Sequence, residues 1–209
     1  MSDEKSLFIQ FLNDLGLADQ EAALHHFERY LDLLMEMNKR LNLFSRSTQE
    51  GELWTKHFLD SLVLLKCLEL SGKKVLDFGS GAGLPGIPLK LAVPNCRMTL
   101  LDSVRKKCVA LEEFVARLEL NDCEVVCARL EDFAAGGKGF DYVLCRAVRL
   151  EDRYIQPLRR LLASQGKVIF YKARELEDIA PFEPQLLFQA EFSFGTRAIH
   201  MLDRAQLTH

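Results

Sequence analysis

Residues 75–88, Val-Leu-Asp-Phe-Gly-Ser-Gly-Ala-Gly-Leu-Pro-Gly-Ile-Pro, set an apolar run directly against three alternate glycines and the start of a helix. Few folds accept that order. A buried strand must end near Phe78, the chain must turn within a few residues, and a helix must begin before Pro88. Gly79, Gly81 and Gly83 let the backbone turn tightly and approach a ligand closely, where a Cβ would stand in the way. Pro88 falls in a first helical turn, whose N–H groups lack intrahelical partners anyway. Such a loop aims free N–H groups and a helix dipole at whatever lies above the strand.

The remainder of the chain supplies a sheet for that strand. From Lys73 onward the pattern predicts strands over 74–78, 97–102, 124–127, 140–145 and 167–171. Between them fall helices, including one over 104–118 that turns Val109, Leu111, Phe114, Val115 and Leu118 inward and one over 151–162. Strands alternating with helices imply right-handed crossovers and a parallel sheet covered on both faces. Two more strands, 185–194 and 197–202, joined at residues 193–196, would add an antiparallel hairpin at the edge. Ahead of this α/β region (72–209), residues 1–71 read as a helical extension. Asp3 caps a first helix closed by Gly16, and Asp19 caps a second whose Leu24, Phe27, Leu31, Leu34 and Met35 recur at helical spacing. A basic break over 39–46 follows. Ser47 or Thr48 then caps a third helix, through Trp54, His57 and Phe58, that ends near Ser71 and Gly72.

With 209 residues, 48% hydrophobic and 27% charged, the chain can bury a sizeable core. No apolar run is long enough to span a bilayer, and the first five residues lack the basic-then-apolar order of a signal peptide, so a cytoplasmic protein is expected. The six cysteines form no C-x-x-C pair and no metal-spaced cluster with histidine. Reduced, buried thiols are expected, Cys123 and Cys127 among them, and no metal. A net charge of -3 does not advertise nucleic-acid binding, although a local basic patch suffices for a large, structured target.

Residues 81–86 spell G-x-G-x-x-G, with Asp102 downstream at a distance suited to a ribose, so a dinucleotide is one reading. Asp77 opposes it: a carboxylate before the first glycine would repel a pyrophosphate and attract an ammonium group. The pattern apolar-apolar-Asp-apolar-Gly-x-Gly-x-Gly, with Leu100-Leu101-Asp102 ending a second strand, resembles the S-adenosylmethionine (SAM) methyltransferases, which implies a Rossmann-like sheet. That resemblance and the strand order assign Asp77 and residues 79–83, Gly79, Gly81 and Gly83 included, to the methionine part. They assign Asp102 to the ribose hydroxyls and residues 128–132 to adenine, and set residues 145–148 at the mouth.

Five segments narrow the resemblance. Asn38-Lys39-Arg40-Leu41-Asn42-Leu43, His57-Phe58-Leu59-Asp60-Ser61-Leu62, the glycine loop with its tail at residues 84–88, Leu100-Leu101-Asp102-Ser103 with Lys106 and Lys107, and Arg146-Ala147 together resemble the bacterial 16S ribosomal RNA guanine-N7 methyltransferase G family, also called glucose-inhibited division protein B. Phe44, Cys145 and Ala173 stand where that family usually has threonine, serine and glycine. The resemblance implies SAM binding at Gly79, Leu84, Leu130, Glu131 and Arg146, and methyl transfer to guanine N7 in 16S rRNA or the small ribosomal subunit. Guanine N7 carries a lone pair and no proton, so no catalytic base is expected. Candidate phosphate contacts are Lys39, Arg40, Arg46, Lys56 and His57 on the helical part, and Arg105, Lys106, Arg146, Arg149, Lys172, Arg174 and Arg197 around the mouth. Arg146 and Lys172 lead, because both end parallel strands, whereas His57 beside Trp54 and Phe58 reads equally as a packed core group. The alternatives are a SAM enzyme acting on a small molecule or protein, a nicotinamide oxidoreductase, and a non-catalytic ribosome-assembly factor.

Overall fold

The computed structural model describes residues 3–17, 20–45, 48–136 and 138–208. The expected caps Asp19 and Ser47 and the expected phosphate contact Arg46 lie outside the described residues. Seven strands form one sheet: β1 (Lys74–Phe78), β2 (Arg97–Asp102), β3 (Cys123–Cys127), β4 (Phe140–Arg146), β5 (Leu162–Tyr171), β6 (Gln185–Phe192) and β7 (Gly195–Asp203). Their order is β3-β2-β1-β4-β5-β7-β6. The first five pair in parallel, while β7 runs antiparallel to β5 and β6 antiparallel to β7, which places the expected hairpin at the edge.

Successive side chains of the inner strands enter opposite layers, as the pleat requires. Val75, Leu100, Leu144 and Ile169 join one core, and Leu76, Leu101, Cys145 and Phe170 the other. Burial on both faces explains why these strands read as unbroken apolar runs. The first core takes in α1 (Asp3–Leu15), α2 (Gln20–Leu41), residues 50–66, α5 (Gly86–Ala92) and α6 (Arg105–Arg117). The second takes in α7 (Leu130–Phe133) and α8 (Asp152–Leu161). Phe58 is the hub of the N-terminal helices, its ring 5.4 Å from those of Phe27, Tyr30 and Trp54. Because these rings share a core with the sheet, the helical layer supports the glycine loop from beneath.

Several boundaries differ from expectation for physical reasons. The second helix does not break at Lys39. It runs to Leu41, with Lys39 and Arg40 in the last turn where a cation suits the dipole, and Asn42 (φ 49°) then turns the chain. The third helix is not regular. α3 (Glu50–Glu52) passes into a π-helical stretch (Leu53–Leu59), then α4 (Asp60–Leu62) and a 3₁₀ turn (Val63–Lys66), ending short of Ser71. Leu53, Trp54, Phe58, Leu59, Leu62 and Leu64 are all buried, so this segment must face protein on several sides, more than one α-helical stripe provides. β5 begins at Leu162, five residues early, with a register shift against β4. On α6 the inward row is Cys108, Leu111, Phe114 and Leu118, which leaves Val109 43% exposed. Cys127 is exposed at the end of the edge strand β3, not buried, and Cys123 is half-buried. Among the described residues no helix is long and apolar enough to cross a membrane, and no group of three or more His, Cys, Asp or Glu could hold a metal ion.

Candidate functional site

The strand order reverses at β1, which has β2 on one side and β4 on the other. In an open parallel sheet ligands settle outside the carboxyl ends at such a point. There a cleft of about 440 Å³ opens, its walls including Gly79, Asp102, Leu130, Glu131, Val148 and Tyr154. Asp102 ends β2 and ties the cleft together. Its Oδ2 accepts the Gly81 N–H and its Oδ1 the Val104 N–H, each at 2.9 Å, and Lys107 Nζ stands 3.6 Å from Oδ2. Each carboxylate oxygen retains a second lone pair, so Asp102 can still accept from a hydroxyl in the cleft.

The glycine loop is built for close approach. Gly79 adopts φ +77°, and a Cβ there would lie 2.9 Å from Val148 Cγ2 on the opposite wall. Asp77 is placed differently from expectation: it is 1% exposed, beneath the loop rather than in the cleft wall. Its Oδ2 accepts the Gly86 N–H at 3.0 Å, the first residue of α5, while its Oδ1 is buried without a hydrogen-bond partner. Burial, against the pull of the Gly86 N–H, pushes the carboxyl up to about 7. Gly86 must remain glycine, since a Cβ there would come within 2.7 Å of Asp77 Oδ2. Tyr30 of α2 pins the same loop from the helical layer, its hydroxyl donating to Ala82 O at 2.5 Å. Gly81, Gly83 and Leu84 shape the loop without lining the cleft.

Arg146, at the end of β4, lies outside this cleft. It lines an adjoining cavity of about 290 Å³ with Asp60, Tyr171, Lys172, Ala173 and Arg197. A third cavity of about 540 Å³ is lined by Val148, Arg149, Lys172, Arg174, Glu175 and Asp178 among others. Ala147, at φ +56°, borders all three. Lys172 Nζ donates to both carboxylate oxygens of Asp178 at 2.7 and 2.8 Å, and Asp178 Oδ2 also accepts the Leu150 N–H at 2.6 Å. Burial opposes ionisation of Asp178, but these donors outweigh it and hold the carboxyl below its usual range.

Other candidates stand apart. Arg105 pairs with Glu112 at 3.7 Å, and neither it nor Lys106 lines any of these cavities. Lys56 is paired with Glu52. His57 is half-buried in the π-helical stretch, 6.2 Å from the Phe44 ring, with Nδ1 unpartnered. Burial, helped by Arg146, pushes its pKa down to about 4. Val148, expected at the mouth, lines the cleft, whereas Tyr30, Asp60 and Asp178 were given no role at the site by the sequence reading. Tyr30 lies buried on α2 beside the stripe named from the sequence, while Asp60 and Asp178 act through partners on other elements or loops.

A family model described as rRNA small subunit methyltransferase G matches residues 23–201. The chain belongs to that family. Ribosomal RNA small subunit methyltransferase G of Thermoanaerobacter pseudethanolicus is 35% identical over 176 residues, covering 82% of this chain and 73% of the relative. Its namesake in Lachnoclostridium phytofermentans is 42% identical over 149 residues, covering 69% of this chain and 61% of the relative. An O-methyltransferase from Bacillus cereus, solved with SAH, shares the fold at a TM-score of 0.60 and 16% identity, over 84% of this chain and 90% of that one. A SAM-dependent methyltransferase from Aquifex aeolicus does so at 0.58 and 14%, over 80% and 97%. The member of the methyltransferase G family described by this chain is a Rossmann-like enzyme that uses SAM, which sets the dinucleotide reading aside.

The residues present fit that cofactor. Asp102 keeps acceptor capacity for a ribose diol, Leu101, Leu130 and Val148 offer apolar walls, and Gly79 leaves space that a side chain would fill. The unpartnered Asp77 Oδ1 is an acceptor beneath the loop suited to a cationic group. Without cofactor, Asp77 has a measurable consequence. Because its folded-state pKa is raised, the native state holds the proton more tightly than the unfolded chain. The resulting stability is fully present below pH 4 and is lost as pH rises through about 7. Thermal melts of the cofactor-free protein should fall over that window by the equivalent of about 2–4 kcal/mol, and Asp77→Asn should flatten the slope. Equal slopes in both proteins would remove Asp77 as the cause.

Proposed function

We propose that this enzyme transfers the methyl group of SAM to N7 of a guanine in 16S rRNA carried by the small ribosomal subunit. The observation that carries the reading is the mouth. Arg146, Arg149, Lys172, Arg174 and Arg197 line the two cavities that meet the cofactor cleft at Ala147, against the carboxylates Asp60, Glu175, Glu177 and Asp178, a small positive excess in a chain that is net acidic at -3. A local excess of cations there, in an acidic chain, suits a phosphate-bearing substrate. The family match and the names of the relatives support rRNA as that substrate.

In this reading Gly79 takes the methionine part, Asp102 the ribose, and Leu130 and Glu131 the adenine. Gly81, Gly83 and Leu84 hold the loop in shape, and Asp77 beneath it binds the Gly86 N–H and offers its unpartnered Oδ1 to the cofactor's cationic end. Arg146 and Lys172 belong to the substrate side, and Arg105 and Lys106 extend the basic surface outward. His57, neutral at physiological pH, packs rather than binds phosphate. When bound, SAM supplies an electrophilic methyl group on a cationic sulfur. The chain's own contribution is alignment and exclusion of water: guanine N7 presents a lone pair and no proton, so no side chain need act as base.

Incubating the protein with methyl-labelled SAM and small subunits from a strain lacking its gene should label 16S rRNA at one guanine, as alkali-labile N7-methylguanine. Label in protein or in a small molecule, or subunit binding without label, would overturn the assignment.

A further inference from the structure

Asp60 is a buried carboxylate between two cations. It lies at the junction where the π-helical stretch gives way to α4, its side chain 8% exposed. Oδ2 takes the guanidinium of Arg146 at 2.8 Å, from the end of β4, and Oδ1 takes Nε of Arg197, from β7. Three separate elements thus converge on one carboxylate in the wall of the 290 Å³ cavity.

Each arginine is fixed further. Arg146 also donates to the carbonyl of Lys56 in the π-helical stretch at 2.9 Å. Arg197 donates to Thr196 O at 2.8 Å and stacks 4.7 Å above the Phe194 ring. Tyr171, another wall of the cavity, donates its hydroxyl to Ser61 O at 2.9 Å and so ties β5 to the same helical junction. One carboxylate neutralises only one of the two guanidiniums, so the arrangement retains a positive charge. Without Asp60 the two cations would repel one another and swing apart.

We propose that Asp60 is a positioning residue of this reaction: it holds Arg146 and Arg197 side by side so that their remaining N–H groups grip a phosphate of the substrate RNA. Planar guanidiniums suit that task because each presents several donors in fixed directions. The carboxylate acts through the arginines and touches neither cofactor nor base. The inference rests on the rRNA methyltransferase reading, and wild-type labelling of 16S rRNA tests that reading separately.

The test is Asp60→Asn, which keeps the size but turns one acceptor into a donor facing a guanidinium. With labelled SAM and small subunits, kcat/KM should fall about 10²-fold, mostly through a higher KM for the subunit, the scale expected when binding groups are displaced by about 1 Å. SAM affinity by calorimetry should stay within about twofold, because Asp60 and both arginines lie outside the cofactor cleft, and the change itself corresponds to less than about 0.5 kcal/mol. Because Asp60 acts through both arginines, Asp60→Asn should cost clearly less on the Arg197→Gln background than alone, the remainder being its hold on Arg146. Full activity of Asp60→Asn, fully additive losses in the double variant, or SAM affinity falling in step with activity would each overturn the proposal. Should Asp60→Asn fail to fold, Arg197→Gln and Arg197→Lys carry the test. Both should raise KM for the subunit, since a lysine cannot hold Asp60, Thr196 O and the Phe194 ring together, and a fully active Arg197→Lys enzyme would refute the clamp. If the wild-type protein labels no 16S rRNA, the functional reading itself has failed.

Discussion

Gly79→Asp should fold and yet bind SAM at least ~10³-fold more weakly than the wild type. Two costs meet at this position. Its φ of +77° lies in the left-handed region, which costs a residue with a Cβ about 1–2 kcal/mol. The Cβ would also stand 2.9 Å from Val148 Cγ2, so one wall of the cleft must move. Val148 lies in the loop after β4 rather than within a strand, so the strain is relieved locally and the sheet survives. Relief comes at the expense of the cofactor's space, and the new carboxylate is set in a cleft that already holds Asp102 and Glu131. Together these amount to about 4 kcal/mol, or three decades of affinity. Calorimetry with SAM, beside far-UV dichroism to confirm the fold, gives the answer. Affinity within tenfold of wild type would move the cofactor out of this cleft. Gly79→Ala should fall between the two, because it carries the backbone and Val148 costs but not the charge.

The core of this site was legible because it is local in the chain. A buried strand, alternate glycines and a helix start occupy fourteen consecutive positions, and Asp102 ends the neighbouring strand, so strand order alone brings it to the loop. What the sequence concealed depends on encounters between distant segments. Asp60 read as one residue of a helical motif, but its partners lie on β4 and β7, and only the folded sheet brings them together. The π-helical stretch before it was hidden for a related reason: its apolar residues face protein on several sides, and that need overrides the regular 3.6 period. Tyr30 is a core residue of α2, yet its hydroxyl also reaches the glycine loop, a dual role that periodicity does not express. Asp77 shows the reverse. Its position at the strand end was evident, but whether the carboxyl points up to the ligand or back to the Gly86 N–H depends on the loop's path.

Asp102→Asn should be nearly as damaging as Gly79→Asp, although it alters a single atom. The carboxylate has two fixed duties, one oxygen for the Gly81 N–H and the other for the Val104 N–H. An asparagine can satisfy one of them, and its amide NH₂ then confronts the other N–H, donor against donor. Either the glycine loop or the start of α6 must withdraw, and both border the cleft. Loss of one charge-assisted hydrogen bond within the protein and weakening of the acceptor offered to the ribose each cost about 1.5–3 kcal/mol. SAM affinity should therefore drop about 10²–10⁴-fold, and denaturant unfolding of the cofactor-free protein should show a loss of about 2 kcal/mol. Lys107→Gln is the matched control. Its ammonium stands 3.6 Å from the same carboxylate, partly in solvent, where an ion pair contributes no more than about 1 kcal/mol, so its effect should stay below tenfold. The contrast between the two variants separates a carboxylate needed for its acceptor geometry from one needed only for its charge. If Lys107→Gln were the more damaging, the glycine loop would be held by electrostatic attraction, and the two N–H bonds to Asp102 would be incidental to cofactor binding.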